Sequence, residues 1–289
     1  MASGGNIDVS VTLLTRNAGP LLDRVLRAVR AQSTSRRVEI VAIDSGSSDG
    51  TLAVLAQHDV EVAQIRSRDF DFGRTRDQVF EMSRGNVIIA LSQDAVPAHP
   101  RWLENLIAPL EDEAVAVSCG RSVPDTERDY AQFVWERNGL FYFTREMRQF
   151  SQRHGRGLSN ANAAYKRAVW EKLKFGAQPI GEDFRFQTKL LAEGLRVAFP
   201  DSAEVLHHHA YTLSALYKRC RNEGLGLRTL GCALTEADLV RDFLRLDVHR
   251  AWWRELLRGN LRRPADFLFP VVRPCAVYVG SRFARRFAP

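Results

Sequence analysis

Polar and acidic side chains directly follow two apolar runs in the first third of the sequence. One run ends in Asp44, ahead of a turn rich in glycine and serine, and the other ends in Ser92, Gln93 and Asp94. An ionised carboxylate accepts hydrogen bonds from the N–H groups of a nucleotide base, and it offers the oxygen ligand that hard divalent cations prefer. The same residue types also form turns and helix caps, so either interpretation fits each position taken alone.

A second pair of acids begins a later helical pattern. Glu182 and Asp183 follow Gly181, and they can cap this helix and complement its dipole. Asp183 can also serve as a general base, because it belongs to a set of acids spaced across the predicted strand ends.

Three consecutive histidines follow the short apolar stretch 203–206. In an extended chain His207 and His209 point to one face, and His208 points to the other. The first face can supply a metal ligand, and a polar surface cluster is the alternative interpretation.

The segment 69–77, with the sequence DFDFGRTRD, places Arg74 and Arg76 at the start of a predicted helix. Arginines at a helix N-terminus suit a phosphate group, whereas a solvated charged face is the alternative. Neither of the two best-known phosphate-binding patterns, GxxxxGK[ST] and GxGxxG, occurs in the sequence. Their absence argues against a kinase, an ATPase and a standard dehydrogenase.

The elements that position these residues alternate along the first 125 residues. Apolar β-branched runs alternate with helical patterns, which is typical of parallel strands joined by crossover helices. Ligands bind at the carboxyl ends of the strands in such sheets, so Thr15 and Asn17 are also candidate site residues. Helices are predicted to begin near Gly19, Gly50, Arg74 and Pro100. The predicted strands are Asp8 to Leu14, Val38 to Asp44, Val60 to Arg66, Asn86 to Ser92 and Ala114 to Cys119.

The remainder of the chain is predicted to be mainly helical. Periodicity is poor and aromatic residues are frequent over 121–157, which we interpret as helix and loop over the mouth of the sheet. One helical face carries apolar residues from Leu239 to Leu257 and predicts an amphipathic C-terminal helix. The other predicted elements are helices at Ala164 to Leu173 and Glu182 to Glu193, a strand at Arg196 to Phe199 and a helix from Thr212.

Composition excludes several classes of protein. The 289 residues are 45% hydrophobic and 26% charged, which is typical of a folded soluble protein of one large or two modest domains. The four cysteines form no closely spaced pair, so we expect neither a zinc nor a redox motif, and we expect a reduced intracellular compartment. The N-terminus lacks a signal-peptide pattern, and the apolar stretch 267–280 is too short to span a bilayer, so we expect neither export nor a transmembrane helix.

The net charge of +7 is concentrated towards the C-terminus. Residues 241–289 contain eleven arginines and four acids, whereas the acids and bases of residues 1–240 balance. Tryptophan, tyrosine and phenylalanine are interspersed among these arginines, and no nucleic-acid-binding motif accompanies them. We therefore expect this segment to contact an anionic membrane surface rather than nucleic acid.

Seven segments, taken in order, closely resemble the family 2 glycosyltransferases, and within them the rhamnosyltransferases of bacterial surface polysaccharides. The resemblance spans about residues 8–232, and any one segment is a weak signal by itself. The segments are TRN at 15–17, IDSGSSDGT at 43–51, FDFGRTRD at 70–77, LSQDAVP at 91–97, SNANAAYKR at 159–167, IGEDF at 180–184 and VLHHHAYT at 205–212.

The resemblance implies a GT-A fold, a nucleotide-diphosphate sugar donor, a divalent cation (Mg²⁺ or Mn²⁺) and inversion at the anomeric carbon. Asp183 occupies the position of the general base, and Asp94 and His207 occupy those of the metal ligands. Ser92 stands where the common DxD motif has its first acid, as is usual in this branch. The implied nucleotide-sugar-binding residues are Thr15, Asn17, Asp44, Arg76, Ser92 and Gln93, with Arg76 near the diphosphate.

Together these inferences predict an inverting glycosyltransferase of the α/β class, with a GT-A type, doubly wound and mostly parallel sheet flanked by helices. Residues 1–232 are expected to form the catalytic domain, and residues 233–289 a basic, amphipathic helical extension. The predicted reaction transfers L-rhamnose from dTDP-L-rhamnose to a hydroxyl of a glycan or lipid-linked acceptor, in the cytoplasm at the inner face of the cytoplasmic membrane. A nucleotidyltransferase and an inactive membrane-surface scaffold of the same fold are the alternatives.

Overall fold

The computed structural model describes residues 7–128, 131–141 and 157–285. The chain divides into two compact units, each formed by segments that are discontinuous in sequence. The first unit comprises Met1–Asp125, Arg156–Ala177 and Glu182–His207, and the second comprises Thr126–Gly155, Gln178–Gly181 and His208–Pro289. The expected division between a catalytic domain and an extension after residue 232 stays a prediction.

A seven-stranded sheet forms the centre of the first unit, which also contains a three-stranded sheet. The strands are β1 (Val9–Thr15), β2 (Val38–Asp44), β3 (Glu61–Gln64), β4 (Val87–Ser92), β5 (Val96–Pro97), β6 (Val115–Cys119), β7 (Arg121–Val123), β8 (Asn162–Lys166), β9 (Arg196–Ala198) and β10 (Glu204–Leu206). The large sheet has the order β3-β2-β1-β4-β8-β6-β9, and the small sheet has the order β5-β10-β7. The four neighbouring strands β3, β2, β1 and β4 are parallel, so their carboxyl ends lie along one edge of the large sheet.

Helices connect these strands and confirm the predicted α/β class. The four predicted crossover helices are present, each beginning within two residues of the predicted start. Helix α1 buries residues at the spacing of one helical face against the large sheet. Over the described residues the α-helices are α1 (Leu21–Arg30), α2 (Thr51–Gln57), α3 (Phe72–Met82), α4 (Trp102–Ile107), α5 (Val134–Arg137), α6 (Arg167–Leu173), α7 (Glu182–Ala192), α8 (Leu213–Thr229), α9 (Glu236–Phe243), α10 (Leu246–Leu257) and α11 (Pro264–Phe283).

Strand β8 replaces part of a predicted helix. The sequence pattern predicts a helix from Ala164 to Leu173, but residues 162–166 form β8, and α6 begins only at Arg167. β8 is inserted antiparallel between β4 and β6, and four of its five residues are buried. The prediction is wrong for these first residues because pairing with strands that are distant in sequence overrides the helix preference of alanine.

The small sheet brings two distant segments together. β10 pairs antiparallel with β5, with Leu206 opposite Val96, and parallel with β7. The backbone N–H of His207 continues this pairing with a hydrogen bond of 2.8 Å to the Val123 carbonyl oxygen. Asp94, two residues before Val96, and His207, one residue after Leu206, are therefore brought to the same end of the small sheet.

A buried asparagine fixes the start of β8. The Asn162 amide nitrogen donates to the Ala203 carbonyl oxygen at 2.8 Å, and Asn162 Oδ1 accepts from the Trp102 indole N–H at 3.0 Å. The Gly120 N–H donates to the Asn162 carbonyl oxygen at 2.9 Å. Because buried polar groups require partners, these bonds fix the register of β8 against β6.

The second unit is helical over its described residues and has its own core. Trp135 of α5 and Phe269 of α11 stack in this core with ring centroids 4.5 Å apart. Helices α8 and α11 approach closely at Gly224 and Gly280, where a Cβ atom would lie 1.9 Å from a carbonyl oxygen of the other helix. The glycines therefore allow two long helices to pack backbone against backbone.

The predicted amphipathic C-terminal helix is divided in two. Helices α9 and α10 share the predicted span from Leu239 to Leu257, with a break at residues 244–245. The apolar stretch 267–280 lies within α11, which contains Pro270 and Pro274. Among the residues that the structure describes, no helix is long and apolar enough to span a bilayer.

Replacing Gly120 with alanine is predicted to destabilise the first unit. The new Cβ would lie 2.2 Å from the Ala203 carbonyl oxygen and 2.2 Å from the Asn162 amide nitrogen, so the backbone would have to shift. We expect the free energy of unfolding in urea to fall by roughly 1–3 kcal/mol. Gly157→Ala is the control, because open space surrounds that position. An equal effect of both substitutions would contradict the close approach at Gly120.

Candidate active site

Asp44 lies at the carboxyl end of β2 and is completely buried. Its Oδ1 accepts from the backbone N–H groups of Gly46 and Ser47 at 3.0 and 2.8 Å, and its Oδ2 accepts from the hydroxyls of Thr15 and Ser47 at 2.9 and 2.5 Å. Thr15 is the register partner of Asp44 on β1, which explains their contact. The carboxylate therefore organises the turn after β2, and a ligand must compete with two hydroxyls for Oδ2.

The turn after β1 is joined to the ends of both neighbouring strands. Asn17 adopts a positive φ of 44°, and its Oδ1 accepts from the Ser48 N–H at 2.8 Å. On the other side, Gln93 Oε1 accepts from the Arg16 backbone N–H at 2.8 Å, and the Gln93 amide nitrogen donates to the Arg16 carbonyl oxygen at 3.2 Å. The structure thus places five predicted nucleotide-sugar-binding residues at the ends of three adjacent strands: Thr15, Asn17, Asp44, Ser92 and Gln93.

Asp94 and His207 meet at the end of the small sheet, as the strand register requires. His207 Nε2 lies 3.3 Å from Asp94 Oδ1, and the two side chains are 12% and 29% exposed respectively. Both belong to the described side chains whose ligand atoms are close enough to share a metal ion. An imidazole nitrogen beside a carboxylate oxygen is a donor set that accepts Mn²⁺ at least as well as Mg²⁺. The chemistry of this pair therefore fits the predicted divalent cation.

The other two histidines are engaged within the second unit. His208 is buried, and its carbonyl oxygen accepts from the Arg128 guanidinium at 2.7 Å. His209 Nδ1 lies 2.9 Å from Glu136 Oε1, which also accepts from the Tyr211 hydroxyl at 3.2 Å. Each of these histidines therefore has a structural role within its own unit.

A buried network connects helices α3 and α7 to the start of β8. Glu182 Oε1 accepts from Arg76 Nε–H at 3.3 Å and from the Asn160 amide at 2.9 Å, and each of the three residues is 5% exposed. The Tyr165 hydroxyl donates to Asn160 Oδ1. The start of β8 pairs with the end of β4, so this network lies at the carboxyl edge of the large sheet.

Asp183 is the second residue of helix α7, directly after Glu182. Its Oδ1 accepts from the Phe184 N–H at 2.8 Å, and the backbone N–H of Asn160 also donates to its carboxylate. Burial, together with the negative charge of Glu182, raises the pKa of Asp183 to about 7, and the Arg76 cation opposes this shift. A carboxyl group with such a pKa exchanges a proton near neutral pH, which suits a general base.

Glu182 and Asn160 are site residues that the sequence pattern does not single out, although both lie in segments that resemble the family. Glu182 is the first acid of segment 180–184, and Asn160 lies in segment 159–167. Arg76, predicted to lie near a diphosphate, is buried with its Nε paired to Glu182. The sequence signal for this network was the adjacent acid pair Glu182 and Asp183. Two neighbouring buried carboxylates repel each other unless a cation accompanies them, so a cation is expected beside the pair.

Comparison with known proteins identifies sequence relatives. The chain matches Glycosyl transferase family 2 over residues 10–174, a region that contains Asp44 and Asp94. It is 31% identical over 226 residues to the O-antigen chain rhamnosyltransferase RfbN of Salmonella typhimurium (strain LT2), covering 75% of this chain and 71% of that relative.

Solved structures of glycosyl-transferring enzymes share the fold. Mannosyltransferase PcManGT from Pyrobaculum calidifontis, in complex with GDP-Man and Mn²⁺, aligns with a TM-score of 0.57 at 16% identity, covering 96% of this chain and 70% of that chain. Glucosyl-3-phosphoglycerate synthase from Mycobacterium tuberculosis, in complex with Mn²⁺, UDP and glucosyl-3-phosphoglycerate, aligns with a TM-score of 0.60 at 18% identity, covering 80% of this chain and 81% of that chain. At these identities the likeness shows the fold, and it confirms the predicted GT-A architecture.

Replacing Glu182 with glutamine is predicted to lower the pKa of Asp183. The substitution removes the adjacent negative charge and leaves the Arg76 cation without its carboxylate partner, and both changes favour the ionised form of Asp183. A ¹³C NMR titration of the carboxyl carbon, assigned with the Asp183→Asn variant, measures the shift. Glu171→Gln removes the same charge from an exposed position of α6 and should leave this titration unchanged. Identical curves for the wild type and Glu182→Gln would show that the two acids are not coupled.

Proposed function

We propose a defined sugar transfer for this chain, which belongs to glycosyl transferase family 2. The donor is dTDP-L-rhamnose, and the acceptor is a hydroxyl group of a glycan or of a lipid-linked glycan in surface-polysaccharide synthesis. The choice of sugar is supported by the similarity to a protein named as an O-antigen chain rhamnosyltransferase. One structural observation carries the reaction type: Asp183, whose pKa is raised to about 7 by burial and by Glu182, lies in the first turn of α7 at the carboxyl edge of the sheet.

In the proposed reaction Asp183 removes the proton of the acceptor hydroxyl while the hydroxyl oxygen attacks the anomeric carbon of the donor. The new bond to the anomeric carbon forms on the face opposite the diphosphate, the bond to the diphosphate oxygen breaks, and the configuration inverts. The proton ends on the Asp183 carboxylate, and the nucleoside diphosphate leaves with the electron pair of the broken bond. A base is most effective when its pKa lies near the working pH, so the raised pKa of Asp183 suits this role.

The nucleoside is assigned to the turns after β1 and β2. The hydroxyls of Thr15 and Ser47 are rotatable donors, so they can turn away from Asp44 Oδ2 when a base N–H group replaces them. Asn17 holds the facing turn through its bond to the Ser48 N–H and borders the same space. The binding site would therefore use a turn that is already ordered by its own hydrogen bonds, which reduces the entropy lost on binding.

The sugar diphosphate is assigned to the end of β4 and to Arg76. Ser92 and Gln93 leave β4 at the sheet edge, and Gln93 is held by two bonds to the backbone of Arg16. Arg76 donates its Nε–H to Glu182, and its two terminal nitrogens are assigned to phosphate oxygens. A buried guanidinium at this place would contribute positive charge where water is scarce, and its attraction to a phosphate is correspondingly strong.

Asp94 and His207 are assigned as ligands of a divalent cation, either Mg²⁺ or Mn²⁺. The assignment is supported by a carboxylate oxygen and an imidazole nitrogen 3.3 Å apart, on segments that strand pairing brings together. His207 is chosen over His209, which faces the same way in an extended chain, because His207 contacts Asp94 directly, whereas His209 contacts Glu136 within the second unit. A cation bound there would neutralise the negative charge that develops on the departing diphosphate.

Catalysis is assigned to residues 1–232, and membrane attachment to the basic extension 233–289. Residues 241–289 carry the whole net charge of +7, which favours an anionic lipid surface. Attachment to the cytoplasmic leaflet would place the enzyme near a lipid-linked acceptor.

Asp183→Asn is predicted to slow sugar transfer by roughly 10²- to 10⁴-fold while donor affinity is retained. Asparagine keeps the size of aspartate and can still accept the Phe184 N–H, so the start of α7 should persist. Transfer of rhamnose to the acceptor and the Kd for the donor are measured for both proteins. Asp201→Asn, at an exposed acid, is the control. Near-normal transfer by Asp183→Asn would overturn the assignment of the base, and unfolding without a specific rate defect would indicate a helix-capping role.

The donor and the cation are tested together by thermal unfolding. A ligand that binds the folded state raises the Tm, so dTDP-L-rhamnose with Mn²⁺ should raise it more than UDP-glucose or GDP-mannose with Mn²⁺. Asp94→Ala and His207→Ala should each lose the part of this shift that depends on Mn²⁺. His208→Ala, which removes a buried imidazole of the second unit, should keep the Mn²⁺-dependent part even if its Tm is lower.

Three outcomes would contradict this assignment. Full transfer activity in excess EDTA would exclude a catalytic cation. Stabilisation by a nucleoside triphosphate and a sugar phosphate, with formation of the nucleotide sugar, would identify a nucleotidyltransferase. Binding of sugar nucleotides without turnover on any acceptor would favour the inactive scaffold.

A further inference from the structure

Helix α10 exposes an apolar face to solvent. Leu246, Trp253 and Leu257 are 66%, 59% and 84% exposed, and their spacing places them on one face of the helix. The opposite face, which includes Val248 and Ala251, is buried in the second unit. A surface helix ordinarily exposes its polar face, so a row of large apolar side chains on the outer face indicates an interaction surface.

The exposed apolar surface continues from α10 onto α11. The Trp252 indole N–H donates to the Phe267 carbonyl oxygen at 3.0 Å, and the rings of Trp252 and Trp253 lie 5.0 Å apart in an edge-to-face arrangement. Phe267 is itself exposed, as are Leu268 and Val271 in the same part of α11. We call this surface the apolar strip, and it consists of Leu246, Trp253, Leu257, Phe267, Leu268 and Val271.

Arginines accompany the apolar strip along α10. Arg250 lies on the same helical face, and Arg254 and Arg258 are exposed at its margin. The acid among them, Glu255, is only 2% exposed, and it accepts from Arg254 at 3.0 Å and from Arg137 at 3.1 Å. Because this acid is buried while the guanidinium groups are exposed, this part of the surface presents positive charge to solvent.

We propose that the apolar strip inserts into the headgroup region of a bilayer rich in anionic phospholipid. Apolar side chains flanked by arginines match a surface whose headgroups are anionic and whose interior is apolar. Asp247, an exposed acid of α10, is paired with Arg245 at 2.6 Å and so does not cancel this charge. A second copy of the chain is a poorer occupant, because a symmetric contact would bring the same arginines together.

This inference rests on the proposed function in that it names the surface by which the enzyme would reach a lipid-linked acceptor. Binding to a bilayer, however, requires neither donor nor acceptor. Experiments with vesicles that contain no acceptor therefore test the surface alone, and their failure would leave the sugar transfer untouched.

Tryptophan fluorescence can report insertion of the apolar strip directly. Trp102, Trp135 and Trp170 are at most 1% exposed, so quenching by brominated acyl chains should act on Trp252 and Trp253. Vesicles of brominated phosphatidylglycerol should quench the full-length protein, and vesicles of brominated phosphatidylcholine should quench it far less. Trp253→Phe should keep binding in co-sedimentation and lose most of the quenching, because phenylalanine preserves the apolar contact.

A matched pair of charge substitutions tests the location of the surface. Leu257→Glu should weaken co-sedimentation with phosphatidylglycerol vesicles by roughly tenfold, since it places an acid in the apolar strip. Leu213→Glu makes the same change at an exposed leucine of α8 and should bind as the wild type does. Added salt should weaken the binding of the wild type, because part of the attraction is electrostatic.

Several results would overturn the proposal. Equal binding by Leu257→Glu and the wild type would place the contact elsewhere, as would quenching that Trp253→Phe does not reduce. Equal binding to phosphatidylcholine and phosphatidylglycerol would remove the role of the arginines. A dimer of the wild type in light scattering that Leu257→Glu abolishes would identify a second copy of the chain as the occupant.

Discussion

The candidate site depends on the hydrogen bonds that the buried carboxylate of Glu182 accepts. This carboxylate accepts hydrogen bonds from Arg76 of α3 and from Asn160 before β8, and it thereby joins two helices to the central sheet. A buried charge is tolerated only when it is paired and hydrogen-bonded, so the three side chains depend on one another. Asp183, the next residue, lies beside this fixed negative charge, and its pKa is raised first by its own burial and second by the charge of Glu182.

The direction of β8 explains how residues so distant in sequence reach one edge. Parallel strands deliver only the segments that follow them to the carboxyl edge, as the turns after β1, β2 and β4 show. β8 runs antiparallel to β4, so the segment that precedes it reaches the same edge. The small sheet brings in a third segment, because the pairing of β10 with β5 carries His207 to Asp94. The acids and their partners are thus brought together in three ways: they follow parallel strands, they precede an antiparallel strand, or they lie at the end of the small sheet.

The two units use exposed and buried aromatic residues differently. In the first unit aromatic rings pack around Phe80 beneath the sheet and support the strands that carry the site. In the second unit Trp135 and Phe269 stack in a core, while Trp253 remains on the surface. Packing of the core does not explain a row of exposed apolar side chains such as the one on α10. This is the physical basis for assigning a surface function to that helix.

The sequence by itself determined the alternation of strands and helices, the acids after β2 and β4, and the membership of a family, because these features are local or lie in short ordered segments. It also predicted that Asp183 lies in the first turn of a helix. Only the tertiary structure decided that residues 162–166 form a strand, that Glu182 is neutralised by Arg76, and that Trp253 faces solvent. Each of these depends on contacts between residues far apart in the chain. Local periodicity and propensity carry no information about such contacts, so these features had to be found in three dimensions.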